Sequence, residues 1–66
     1  MEILFNGESR VVAEGTSVAG LLEQLEIQPR HVAVEVNLEL VPRTRHAEQL
    51  LQAGDRLEVV TLVGGG

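Results

Sequence analysis

Few side chains in this sequence could do chemistry, and the strongest candidate group belongs to the main chain. Gly64-Gly65-Gly66 closes the sequence directly after the β-rich run Arg56-Leu57-Glu58-Val59-Val60-Thr61-Leu62-Val63. Three glycines cannot pack or strengthen a strand, and glycine loses the most freedom when ordered. They can carry a terminal carboxylate away from the domain on a thin arm that passes where any Cβ would clash. A frayed end or a cloning scar has the same composition, so the tail alone leaves both readings open. His31 and His46 lie near loops with no second ligand at metal spacing, and both read as solvated surface residues. Glu35 and Glu39 are too isolated to form an acid/base pair. A Ser/His/Asp constellation in a glycine elbow is absent, and the glycines of a phosphate loop open a helix rather than end a chain. The expectation is a protein that is not an enzyme by itself, with no bound cofactor and no metal.

Composition narrows the partners. Ten acidic residues against five arginines give a formal charge of −5, which argues against nucleic acid, since a phosphate-backbone binder needs a basic face. Phe5 is the only aromatic residue, so base stacking has almost no platform. An acidic body suits a partner with a basic docking face, although solubility accounts for the charge equally well. Cysteine is absent, which removes disulfides, thiolate metal sites, iron–sulfur clusters and a cysteine nucleophile. Every cation is arginine, so no lysine amine within the chain could attack a reactive terminal acyl group. No signal peptide or membrane span is legible, and the expected location is the cytoplasm.

The elements that must position the tail follow from periodicity. Glu2-Ile3-Leu4-Phe5-Asn6 has strand character, Asn6-Gly7 is a hairpin signal, and Ser9 to Ala13 reads as the return strand. Thr16 and Ser17 can cap a helix, and Val18, Leu21, Leu22 and Leu25 then fall at i, i+3, i+4, i+7. Gly20 weakens that helix by about 1 kcal/mol relative to alanine, so packing must hold it. Val32-Ala33-Val34-Glu35-Val36 alternates as a third strand, and Leu38 to Val41 is a fourth, closed by Pro42. His46 to Leu51 suggests one or two helical turns, Ala53-Gly54-Asp55 a turn, and Arg56 to Val63 the last strand. The expected inward set is Ile3, Phe5, Val11 or Val12, Val18, Leu21, Leu22, Leu25, Val34, Val36, Leu50, Leu57 and Val59.

A hairpin, a helix and further strands make an α+β fold, a mixed sheet of about five strands on one main helix. The helical crossover lets the first strand pair in parallel with the last. This layout resembles the β-grasp of ubiquitin-like proteins, here with residues 1–63 as the domain and 64–66 as a flexible tail. About 60% of the unfolded surface is buried at this size, so the core is thin. If Leu57 and Val59 face the helix, alternation puts Leu4, Val60 and Leu62 on the opposite, open face. An apolar patch there reads as a docking surface for a partner, since it shares a strand with the tail.

Several segments together resemble one family. Ile3-Leu4-Phe5-Asn6-Gly7, Leu21-Leu22-Glu23-Gln24-Leu25, Val34-Glu35-Val36-Asn37, Val41-Pro42-Arg43, Gly54 to Val60 and Val63 to Gly66 are similar to the ThiS family, small sulfur carriers of bacterial thiamine biosynthesis. The likeness spans essentially the whole chain. It departs at Gly64, where alanine or another small residue is also usual, and at His46, where the family often has tryptophan. The resemblance implies that an E1-like adenylating enzyme (ThiF-type) uses MgATP to activate the Gly66 carboxylate. Sulfur from a cysteine desulfurase system would then give a thiocarboxylate, and a thiazole synthase (ThiG-type) would take that sulfur. Gly64 and Gly65 would give reach. Sulfur carriers for molybdopterin, tRNA thiolation or cysteine synthesis share the same terminal chemistry, and a non-reactive β-grasp interaction module shares the fold. An RNA-binding β-grasp domain fits the charge and the missing aromatics least.

Overall fold

Asn6-Gly7 turns the chain as its composition predicts. In the computed structural model, which describes residues 1–62, both residues take positive φ, 49° and 83°. That is the type I′ geometry matching the right-handed twist of two strands. The turn joins β1 (Glu2–Phe5) to β2 (Glu8–Val11), with Glu2 opposite Val11 and Phe5 opposite Glu8. Of the two adjacent valines, Val12 enters the core, while Val11 stays exposed across from Glu2. Phe5 is half-buried under the Arg10 guanidinium, 5.5 Å from its ring centroid.

Helix α1 (Val18–Gln24) starts where Ser17 accepts the Gly20 N–H at 3.0 Å. It stops without a glycine. Glu26 takes φ 58°, its N–H reaches the Glu23 carbonyl, and the Ile27 N–H reaches the Leu22 carbonyl at 2.9 Å. This is a Schellman closure with glutamate at the left-handed position, so Leu25 falls in the cap and is only partly buried.

After a 3-10 turn at Pro29–His31 come β3 (Val32–Val36) and β4 (Glu39–Val41), joined by Asn37 at φ 52° and Leu38 at φ 70°. Leu38 therefore belongs to the turn rather than to the strand expected from Leu38 to Val41. A 3-10 turn at Arg43–Arg45 leads on, and β5 (Arg56–Thr61) completes a five-stranded sheet in the order β2-β1-β5-β3-β4. β1 and β5 pair in parallel, and β3 pairs antiparallel with both β4 and β5. The mixed sheet over one helix is the expected architecture.

The segment from His46 to Leu51 keeps one turn of the one or two expected, with the Glu48 and Gln49 N–H groups both on the Arg45 carbonyl at 3.0 Å. The rest of it serves α1. The Val18 and Ala19 N–H groups, which a helix start leaves without partners, donate to the Gln49 and His46 carbonyls at 2.9 and 3.0 Å. Leu51 N–H donates to Thr16, and Ser17 bridges to Leu50. With its Gln49 and His46 carbonyls turned toward α1, the segment forms no regular helix. Its register puts Leu51, not Leu50, into the core; Leu50 is 56% exposed. The core is Ile3, Val12, Val18, Leu21, Leu22, Val34, Val36, Val41, Leu51 and Leu57, with Phe5, Leu25 and Val59 packed partly against it. Val41 is an addition: it lies opposite Val34 and shares its inward face.

Candidate functional site

β5 is the strand that leads toward the terminal glycines, and both of its edges are occupied. On one edge, Asn6 N–H donates to the Leu57 carbonyl at 2.8 Å and Leu4 N–H to the Asp55 carbonyl at 2.9 Å. On the other, Val32 to Val36 pair with Thr61 back to Leu57, and Leu62 N–H continues the row onto the His31 carbonyl at 2.8 Å. Gly64, Gly65 and Gly66, together with Val63, lie outside the described residues.

Alternation along β5 works as expected. Leu57 is buried and Val59 half-buried toward α1, whereas Glu58 and Val60 are exposed on the open face. Val60 is 56% exposed opposite Ala33, and Leu62 is 51% exposed one rung beyond the strand. Leu4 shares this face by alternation but lies level with Arg56 and is only half-exposed. Four residues along a strand separate it from Val60, about 13 Å at 3.3 Å per residue. The structure thus brings Val60 and Leu62 together at the tail end of β5 and sets Leu4 apart, with the Glu58 rung between.

The same face carries residues that the sequence reading passed over. Leu40 lies opposite Glu35, and Val11 opposite Glu2, both exposed. Their signal was available, because Val41 and Val12 facing inward puts their neighbours outward. Glu35 and Glu58 face each other directly across β3 and β5, a like-charge pair that opposes sheet pairing. Among the described residues the one salt bridge is an exposed Arg45–Glu48 contact at 3.3 Å, so neither glutamate is paired with a cation there. The open face therefore presents apolar side chains around negative charge, and a partner of matching shape with basic groups would complement it.

The two histidines separate. His31 is exposed as expected, but His46 is 3% exposed, which corrects its reading as a solvated residue. Its Nε2 lies 3.1 Å from the Val41 carbonyl, which can only accept, so Nε2 carries the proton. Nδ1 is buried without a partner among the described residues. His46 is thus a core strut tying the end of β4 to the segment that caps α1. Among the described residues no group of three or more His, Asp or Glu is placed to hold a metal. No helix there is long and apolar enough to cross a membrane. Two surface hollows, one beside β4 and Pro42 and one beside Glu23 and Pro29, take no lining from β5.

Comparison with known proteins gives a consistent result. The ThiS family profile matches residues 3–66. The chain is 36% identical to the sulfur carrier protein ThiS of Escherichia coli, over the full length of both. It is 42% identical over 66 residues to a thiazole synthase of Paramagnetospirillum magneticum, of which it spans only 20%. A crystal structure of the thiamine biosynthesis protein ThiS from Geobacter metallireducens superposes with a TM-score of 0.87 at 33% identity, covering 100% of both chains.

Proposed function

We propose that this chain, which belongs to the ThiS family and is a sulfur carrier protein of thiamine biosynthesis, does its chemistry at the Gly66 carboxylate. A carboxylate is a poor electrophile because its negative charge shields the carbon. An E1-like adenylating enzyme of the ThiF type would consume MgATP, form the acyl-adenylate and release pyrophosphate. A persulfide supplied by a cysteine desulfurase system would attack that carbon and expel AMP. Reduction of the resulting S–S bond by a thiol leaves the thiocarboxylate. The chain itself holds no cofactor in this scheme, and the cycle would run in the cytoplasm, where ATP is available.

The receiver of the sulfur would be a thiazole synthase of the ThiG type. The likeness of this whole chain to a fifth of a protein named thiazole synthase supports that choice over a molybdopterin or tRNA-thiolation partner. The observation that carries the reading is β5: a strand paired with β1 at its start and with β3 as far as Thr61, apolar on its open face at Val60 and Leu62, and followed in sequence by Val63 and Gly64-Gly65-Gly66. Ordering the glycine arm in a partner's channel costs about 1–2 kcal/mol per residue, and burial of that apolar end would offset part of it. Gly64 and Gly65 admit the arm where side chains would collide, and Gly66 carries the reacting carbon.

Mass spectrometry tests this. After incubation with the adenylating enzyme, MgATP and a persulfide donor, the intact protein should gain the mass difference of one sulfur replacing one oxygen, located at Gly66. Deleting Gly66 should abolish the change, and a deletion variant that still gains it would sink the proposal.

A further inference from the structure

Two asparagines hold β5 from opposite edges. Asn6 and Asn37 each open a two-residue hairpin turn, at φ 49° and 52°, and each turns its side-chain amide onto the neighbouring strand. Asn37 works at the start of β5, where its Oδ1 accepts the Arg56 N–H at 3.0 Å and its Nδ2 donates to Asp55 Oδ1 at 3.0 Å. Asn6 works at the other end. Its Oδ1 accepts the Val59 N–H at 2.7 Å, and its Nδ2 donates to the Val59 carbonyl at 3.2 Å. A parallel strand running on would meet the Val59 N–H and carbonyl with groups from two successive outward-pairing residues, so the single Asn6 amide stands in for main-chain pairing that β1 no longer supplies. Main-chain pairing on this edge has already ended with Asn6 N–H on Leu57.

The turn does not require this side chain. Positive φ is open to glycine at no steric cost, and an exposed amide could bond to water instead. We propose that Asn6 is a positioning residue for the carboxyl-terminal arm. By keeping β5 paired on both edges as far as Val59, it fixes the point and direction from which the arm departs. Without it the end of β5 is held by β3 alone, through Ala33 and the His31 carbonyl, and can twist about that single row of bonds. A root that swings spreads the terminal carboxylate over more space. The cost of ordering it then falls on binding to the adenylating enzyme. This role rests on the carrier reading above.

Three variants test it. Asn6→Gly keeps the turn and removes both bonds; Asn6→Asp keeps the acceptor but sets a charged oxygen against the Val59 carbonyl. Asn37→Gly removes the matching clamp at the end of β5 away from the arm. Amide exchange of Val59 should quicken by about tenfold or more in Asn6→Gly, with Leu57 little changed, while Asn37→Gly should quicken Arg56 and leave Val59 protected. In adenylation by the ThiF-type enzyme, Asn6→Gly should raise the half-saturating carrier concentration about fivefold, with the maximal rate within about twofold. Asn6→Asp should fall between, and Asn37→Gly should match the wild type. The role is overturned if Val59 exchange does not change in Asn6→Gly, or if both glycine variants shift adenylation alike in proportion to lost stability. A wild-type protein that the enzyme does not adenylate would instead sink the carrier reading and this role with it, whatever the exchange data show for the clamp.

Discussion

His31 and His46 look alike in the sequence, each a single imidazole near a proline or arginine with no partner at ligand spacing. The structure makes one a surface group and the other a strut. Nothing local distinguishes them, because the carbonyl that holds His46 comes from Val41, at the end of a different element. Removing the strut leaves a cavity and takes one hydrogen bond from a buried carbonyl, two costs that add. His46→Ala should therefore lose about 2–4 kcal/mol in denaturant unfolding, while His31→Ala should stay within about 0.5 kcal/mol. Turn residues were legible to different degrees for a similar reason. Asn6-Gly7 announces a type I′ turn, whereas Asn37-Leu38 makes the same turn with an 87% exposed leucine at φ 70°. Leucine rarely takes that conformation, so the sequence pattern assigns it to the strand. Asn6 itself was legible as a turn residue and illegible as a clamp, since Val59 is 53 positions away.

At the scale of elements, legibility followed periodicity. The alternation of Val32 to Val36 and the stripe of Val18, Leu21 and Leu22 each encode one buried face, so β3 and α1 were readable within a residue or two. The stretch from Arg43 to Gln52 carries no such period because its conformation answers to α1. The helix needs carbonyls for its Val18 and Ala19 N–H groups, and the segment supplies them from Gln49 and His46. That arrangement also decides which leucine enters the core, and the adjacent pair tests it. Leu51→Ala should cost about 2–5 kcal/mol as a buried truncation, and Leu50→Ala less than about 1 kcal/mol, both read from unfolding midpoints. Equal losses would mean that the segment sits in another register. The candidate site was legible in part. The open-face positions follow from strand alternation, but the separation of Leu4 from Val60 depends on the β1–β5 register, which a sequence pattern does not fix.

For the whole molecule, the question is how a chain of net charge −5 with an acidic, partly apolar sheet face finds and holds an enzyme. Charge acts at long range and sets the encounter rate, which salt screens beyond about 8–10 Å. Apolar contact acts only after docking and sets how long the complex lasts. In the proposed docking Val60 is of the second kind, since it is exposed at the tail end of β5 with Leu62 beside it. Burying one valine is worth about 1.5 kcal/mol or more, roughly a tenfold change in affinity. Val60→Lys should therefore weaken binding to the adenylating enzyme or the thiazole synthase by about tenfold, mainly through faster dissociation in surface plasmon resonance. Its unfolding midpoint should hold, since the lysine would project to solvent beside Glu58 and Glu35. Val11→Lys adds the same charge to the same face on the outermost strand, level with Glu2 and far from the arm, and should leave the dissociation rate unchanged. If the two variants weaken binding equally, and the loss tracks ionic strength, the face works through its field alone and Val60 is not a contact. If only Val60→Lys dissociates faster, the complex is sealed at the place where β5 gives way to the arm, and the carboxylate then has only the length of the glycines left to travel.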